Sequence, residues 1–168
     1  LWEGMVTEGL AITRAVHDRY HAARRNPWNE VECGDHYVRS MASYGVFLAA
    51  CGFEYHGPNG HLAFAPRLTP ENFKAAFTAA EGWGTYRQRR VAGSQSCEVD
   101  VKHGRLEIQV LTVELATGAR PKSVVARCDK RTLEVQVTQQ GQRVELTFSR
   151  RMKLGSGMKL EVIVELAA

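Results

Sequence analysis

The stretch Cys97-Glu-Val-Asp-Val-Lys-His-Gly-Arg-Leu-Glu-Ile-Gln-Val-Leu-Thr112 alternates apolar and polar residues on both sides of a His103-Gly104 pair. Val99 and Val101 precede the pair, and Leu106, Ile108, Val110 and Thr112 continue the alternation after it. Successive side chains of an extended backbone point in opposite directions, so this period of two marks a strand with one face on a core. The His103-Gly104 pair reads as a turn, because glycine takes positive φ at little steric cost. The same period recurs at Val124-Ala126, Leu133-Val135-Val137, Val144-Leu146-Phe148 and Leu160-Val162-Val164. Asp129-Lys130, Gln140-Gly141 and Gly155-Ser156-Gly157 fall between these runs and supply turns. Residues 97–168 therefore read as an antiparallel β domain, a sheet or sandwich with one side of each strand buried.

Working outward towards the N-terminus, Gly57-Pro58-Asn59-Gly60 is a turn and His61 to Phe64 a short strand closed by Pro66. Thr69-Pro70-Glu71 has the composition of a helix start. Phe73 onward nevertheless reads as mostly extended, with aromatics around Gly82-Trp83-Gly84. Residues 58–96 are expected to connect the β half to two helices. The first helix runs from Trp2 to Arg24, with Met5, Ile12, Val16 and Tyr20 on one face and Glu3, Glu8, Arg14 and Asp18 elsewhere. The second runs from about His36 to Gly52, its apolar face formed by Tyr37, Met41, Tyr44, Leu48 and Cys51. Ala42, Gly45, Ala49 and Ala50 leave a small-residue side for close packing, and Gly52 is the stop. The expected fold class is α+β: two antiparallel helices within residues 1–57, then the connecting region, then the β half.

The totals narrow the function. A chain of 168 residues with 44% hydrophobic and 24% charged residues is an ordinary globular domain, or a small domain plus a piece of another. No apolar run is long enough to span a bilayer as a helix, and the sequence holds no basic-then-apolar leader pattern ending in small residues. The chain opens inside helical pattern, so Leu1 reads as a cut end. The net charge of +4 is spread over short clusters at Arg24-Arg25, Arg87 to Arg90 and Arg150-Arg151, which argues against nucleic acid as a partner. Cys33, Cys51, Cys97 and Cys128 form no Cys-x-x-Cys pair, which argues against a zinc ribbon or redox motif and favours free thiols in a reducing cytoplasm. No cofactor is expected.

The functional residue types gather ahead of the second helix. Asn26-Pro-Trp-Asn-Glu-Val-Glu-Cys-Gly-Asp-His-Tyr37 holds Trp28, Glu30, Glu32, Asp35 and His36, with Arg39 just beyond. Pro27 and Gly34 shape this loop, and Asp35 is placed to cap the helix. Glu30 and Glu32 are poorly placed to flank a scissile bond from two sides. Cys33-x-x-His36 lacks a second ligand pair, so no metal is expected. Carboxylates and a guanidinium can each hold two neighbouring hydroxyls, and an indole face suits a sugar ring. On composition, polyol binding stands level with a plain capped helix in which Arg39 pairs with Glu32 or Asp35.

The run Arg25-Asn-Pro-Trp-Asn-Glu-Val-Glu-Cys-Gly-Asp-His-Tyr-Val-Arg-Ser-Met-Ala-Ser-Tyr44 resembles the C-terminal catalytic-domain segment of glycoside hydrolase family 116, the bile-acid β-glucosidases and non-lysosomal glucosylceramidases. Glu8 to Tyr20, Gly52-Phe-Glu-Tyr55, Phe64-Ala-Pro-Arg67 and Glu81-Gly-Trp-Gly84 fit the same segment, so the resemblance covers about Leu1 to Gln88. It implies a parent enzyme with an N-terminal β domain and an (α/α)6 toroid, of which the two helices are a remnant. That enzyme would be a retaining β-glycosidase whose nucleophile and acid/base lie upstream, outside this chain. By the same resemblance Glu30 and Arg39 would grip the hydroxyls of the −1 sugar of a β-glucoside. Glu32, His36 and Trp28 lie in the same motif and would line the subsite. The implied partners are the substrate and the remainder of the parent enzyme. Without those helices' neighbours, Met5, Ile12, Val16, Met41, Tyr44 and Leu48 are expected to drive self-association. The competing class is a non-catalytic interaction or carbohydrate-binding module on the β half, where Phe148 is the only aromatic after Tyr86.

Overall fold

Alternating residues turn most of residues 54–166 into strand. The computed structural model describes residues 1–19, 23, 41–129 and 131–167. Ten strands follow two helices among these residues: β1 (Glu54–His56), β2 (His61–Phe64), β3 (Asn72–Ala79), β4 (Gly82–Val91), β5 (Ser94–Glu114), β6 (Pro121–Cys128), β7 (Arg131–Leu133), β8 (Val135–Gln140), β9 (Arg143–Gly155) and β10 (Lys159–Leu166). The front sheet has the order β3-β4-β5-β10-β6-β7 and is antiparallel throughout. The back sheet has the order β1-β2-β5-β9-β8. It departs from the antiparallel expectation at one pair: β2 runs parallel to β5, with Leu62 beside Leu111 and Phe64 beside Val113. Residues 58–96, expected to connect, supply β2, β3, β4 and the first residues of β5.

β5 belongs to both sheets. Its N-terminal part pairs with β4 and β10, and the part from Arg105 onward pairs with β9. His103-Gly104, read above as a turn, is instead the point where this strand passes from one sheet to the other. Gly104 has φ 72°, and a Cβ there would lie 2.1 Å from the Glu81 carbonyl oxygen. A glycine with positive φ serves a crossing as well as a reversal, so local sequence does not separate the two.

The inner faces of the two sheets meet in one core. Phe64 of the back sheet stacks on Tyr86 of the front sheet, with ring centroids 3.8 Å apart and planes 3° from parallel. Val99, Leu160 and Val162 in front, and Leu111, Val113 and Leu146 behind, are buried around them. Each such side chain withdrawn from water is worth roughly 1.5–3 kcal/mol. The buried Tyr86 and Gln88 are paired: Tyr86 donates to Gln88 Oε1 at 2.8 Å, and Gln88 Nε2 donates to the Pro70 carbonyl at 2.9 Å.

Helix α1 (Val6–His17) begins later than the sequence pattern, because Gly4 takes φ 79° and breaks the run. None of its residues is buried, and Ile12 is 66% exposed. Helix α2 (Met41–Cys51) buries Ala49 and Cys51 against the sandwich. Gly52, at φ 55°, ends it as expected, and the Ala65 amide closes on the Cys51 and Gly52 carbonyls. The molecule is α+β with a β-rich C-terminal part. No helix among the described residues is long and apolar enough to cross a membrane.

Candidate functional site

Trp28, Glu30, Glu32, His36 and Arg39 lie outside the described residues. The nearest described element is α2, which leads into the sandwich. Tyr44 ties the helix to β3, its hydroxyl 2.8 Å from Thr78 Oγ1. Thr78 sits opposite Trp83 on β4, which in turn sits opposite His103 on β5. Trp83 is 49% exposed, and Tyr44 stacks on Phe47 with centroids 6.1 Å apart. One end of the front sheet's outer face is therefore aromatic.

The middle of that face is charged. One register row crosses six strands: Lys74, Arg87, Glu98, Glu161, Arg127 and Thr132. The next row holds Arg89, Ser96, Ile163 and Val125. Between the arginines lies an open depression of about 400 Å³, floored by Ile163 and walled by Arg87, Arg89, Arg127 and Glu161. Glu98 and Glu161 face each other as like charges, which is unfavourable across a ladder. Lys159 offsets this with contacts of 3.1 Å to Glu98 and 3.5 Å to Asp100. None of the Arg87, Arg89 and Arg127 guanidinium groups makes an ion pair or hydrogen bond among the described residues.

Asp100 anchors the face. Burial pushes its carboxyl up, but the Lys102 ammonium at 2.6 Å, joined by Lys159, outweighs burial and holds it below its ordinary value. The thiols are inert by contrast. Burial raises Cys51 to about 11 and also pushes up Cys97, which lies under the Tyr86 hydroxyl at 3.3 Å. No group of three His, Cys, Asp or Glu side chains is placed to hold a metal ion among the described residues.

The face as a whole offers bidentate guanidinium donors, carboxylate acceptors and an indole surface, which together suit recognition of hydroxyl or carboxylate groups. The sequence reading passed over it. Its signal was present: Tyr86 and Gln88 are buried, so period two places Thr85, Arg87 and Arg89 together on the opposite side of β4. Glu30 and Arg39 lie in one continuous motif, nine positions apart. This face is assembled instead from one residue in each of several strands.

Among solved structures, the chain is similar to an α-L-rhamnosidase, a glycoside hydrolase, from Dictyoglumus thermophilum. The TM-score is 0.38 and the identity 11%, over 83% of this chain and 16% of that one. This chain thus spans a small part of that enzyme's length. No family model matches the sequence, and no curated protein matches it.

Proposed function

We propose that this chain is the C-terminal segment of a retaining β-glycosidase of the family-116 type, acting on a β-glucoside or related β-glycoside. Glu30 and Arg39, nine positions apart, hold the hydroxyls of the −1 sugar, with Trp28, Glu32 and His36 around them. The nucleophile and the acid/base come from the remainder of the parent enzyme, so the chain by itself is inactive. The observation that carries this reading is the motif from Arg25 to Tyr44, which runs directly into α2. The sandwich serves as the platform that fixes that helix, through Tyr44 on Thr78 near its start and the Ala65 amide on Cys51 at its end. A cytoplasmic setting is part of the proposal, supported by Cys51, Cys97 and Cys128 as free thiols.

The helix faces support a further element of this reading. Met5, Ile12, Val16 and Tyr44 are exposed, and with Met41 and Leu48 they form a self-association surface when the toroid partners are absent.

The test uses the chain itself. An aryl β-glucoside should not be hydrolysed, whereas a gluco-configured iminosugar should bind. Glu30→Gln or Arg39→Ala should each weaken that binding about tenfold, the scale of one charge-assisted hydrogen-bond set. Turnover that Glu30→Gln abolishes would overturn the assignment of catalysis to absent polypeptide. Iminosugar binding indifferent to both substitutions would overturn the sugar grip.

A second reading, a non-catalytic carbohydrate-binding or interaction module on the β half, is favoured by the exposed Trp83 on the same outer face of β4 as the unpaired Arg87 and Arg89. It requires that Trp83→Ala, and not Glu30→Gln, abolish retardation of the chain in a gel containing soluble β-glucan.

A further inference from the structure

The chain changes sheets a second time at Glu134. β7 pairs with β6 in front, β8 pairs with β9 behind, and only Glu134 lies between them. β8 reaches no further along β9 than Phe148, opposite Val135. The rest of β9, from Met152 to Gly155, keeps β5 on one side and has no strand on the other among the described residues. The sandwich is consequently open along this edge. β9 also bulges there: Thr147 and Met152 pair with Val110 and Ile108, so residues 148–151 have no register partner on β5. The Gln109 side-chain amide holds the bulge through the Phe148 carbonyl.

The opening is a cavity of about 570 Å³, larger than the depression on the front face. Its floor is apolar, made by Leu133, Met152, Leu154 and Met158. Leu154 is fully buried and Met152 and Met158 half-buried. Unbranched methionines adapt to a ligand's shape at low cost. The rim is basic: Arg131, Arg150, Arg151 and Lys153 stand against Asp129. Arg151 is occupied by the Gly57 and Pro58 carbonyls, and Lys153 by Glu107 at 3.2 Å. Arg131 and Arg150 have no ion-pair partner among the described residues.

We propose that this edge cavity binds an anionic amphiphile, with its apolar tail on the Leu133, Leu154 and methionine floor and its acid group between Arg131 and Arg150. The volume lies in the range of small-molecule sites, roughly 300–1,000 Å³. The charge pattern selects the acid: a neutral tail gains the floor alone, and a cationic one meets repulsion at the rim. The site shares no lining residue with the front-face depression.

The four methionines make the test direct, since Met5 and Met41 lie in the helical part of the chain. With methyl-labelled methionine, dodecanoate should shift the Met152 and Met158 signals saturably and leave those of Met5 and Met41 in place. Dodecyl maltoside, a neutral amphiphile, should bind at least tenfold more weakly. The double substitution Arg131→Gln/Arg150→Gln should weaken dodecanoate about tenfold while the unliganded spectrum stays unchanged. Equal shifts at all four methionines, equal affinity for the neutral amphiphile, or unchanged dodecanoate affinity in the double variant would each overturn the proposal.

Discussion

The helix α1 and the sandwich spend apolar residues in opposite ways. In the sandwich, Phe64, Tyr86, Leu111 and Leu160 lie between two sheets with almost no exposed surface. At α1, Met5, Ile12 and Val16 stand open to solvent, although their spacing is that of a core-facing stripe. A strand finds its neighbours within the same chain, whereas a helix stripe needs a surface of matching shape. Periodicity thus reports the capacity for burial, and only the assembled chain reports whether burial occurs.

Substitutions sharpen this contrast. Phe64→Ala removes one half of the stacked pair from a sealed core, and should cost about 3–5 kcal/mol in urea unfolding. An effect below about 1 kcal/mol would mean that the two sheets are not joined there. Gly104→Ala puts a methyl group against the Glu81 carbonyl at positive φ, and should cost about 2 kcal/mol by the same measurement. A neutral result would show that the sheet crossing at Gly104 relaxes freely.

Asp100 should give a smaller and pH-dependent effect. Its carboxyl is held below the ordinary carboxylate value in the folded chain by Lys102 and Lys159, against the opposing pull of burial. The charged form is therefore favoured by folding. Its stabilisation is complete above the unfolded carboxylate value and disappears as pH falls through the folded one. Asp100→Asn should lower stability at neutral pH by about 1 kcal/mol and flatten the acid limb of the stability curve. An unchanged acid limb would remove Asp100 from the account. The smallest effect belongs to α1: Ile12→Ala should change unfolding by less than about 0.5 kcal/mol in dilute solution. Self-association would reveal itself as a larger, concentration-dependent effect of the same substitution, checked by light scattering.

Much of the β half was legible because each strand carries its own signature. Val124-Ala126, Val144-Leu146-Phe148 and Leu160-Val162-Val164 lie within β6, β9 and β10, and Gln140-Gly141 and Gly155-Ser156-Gly157 lie at their turns. The strand order was not legible, because pairing depends on partners tens of residues away. β2 beside β5, and β10 between β5 and β6, have no local mark. Thr69-Pro70-Glu71, with the composition of a helix start, opens no helix, and the chain from Phe73 onward is extended as expected. Thr69 takes φ 45°, and Phe73 and Phe77 each find a place in the core as alternate residues of β3. Of the site, the arginine face was hidden because sequence scanning weighs neighbours along the chain. Its row is built from residues as far apart as Lys74 and Glu161.

The position of β10 has a consequence for biosynthesis. Residues 159–166 occupy the middle of the front sheet, with β5 on one flank and β6 on the other. While a ribosome is still translating them, β5 and β6 expose the edges that β10 will later join, and an unfinished sheet edge invites pairing with another nascent chain. A premature stop codon before Lys159 would therefore remove the central plank of the front sheet, and the product would be expected to aggregate rather than to persist as a shortened domain.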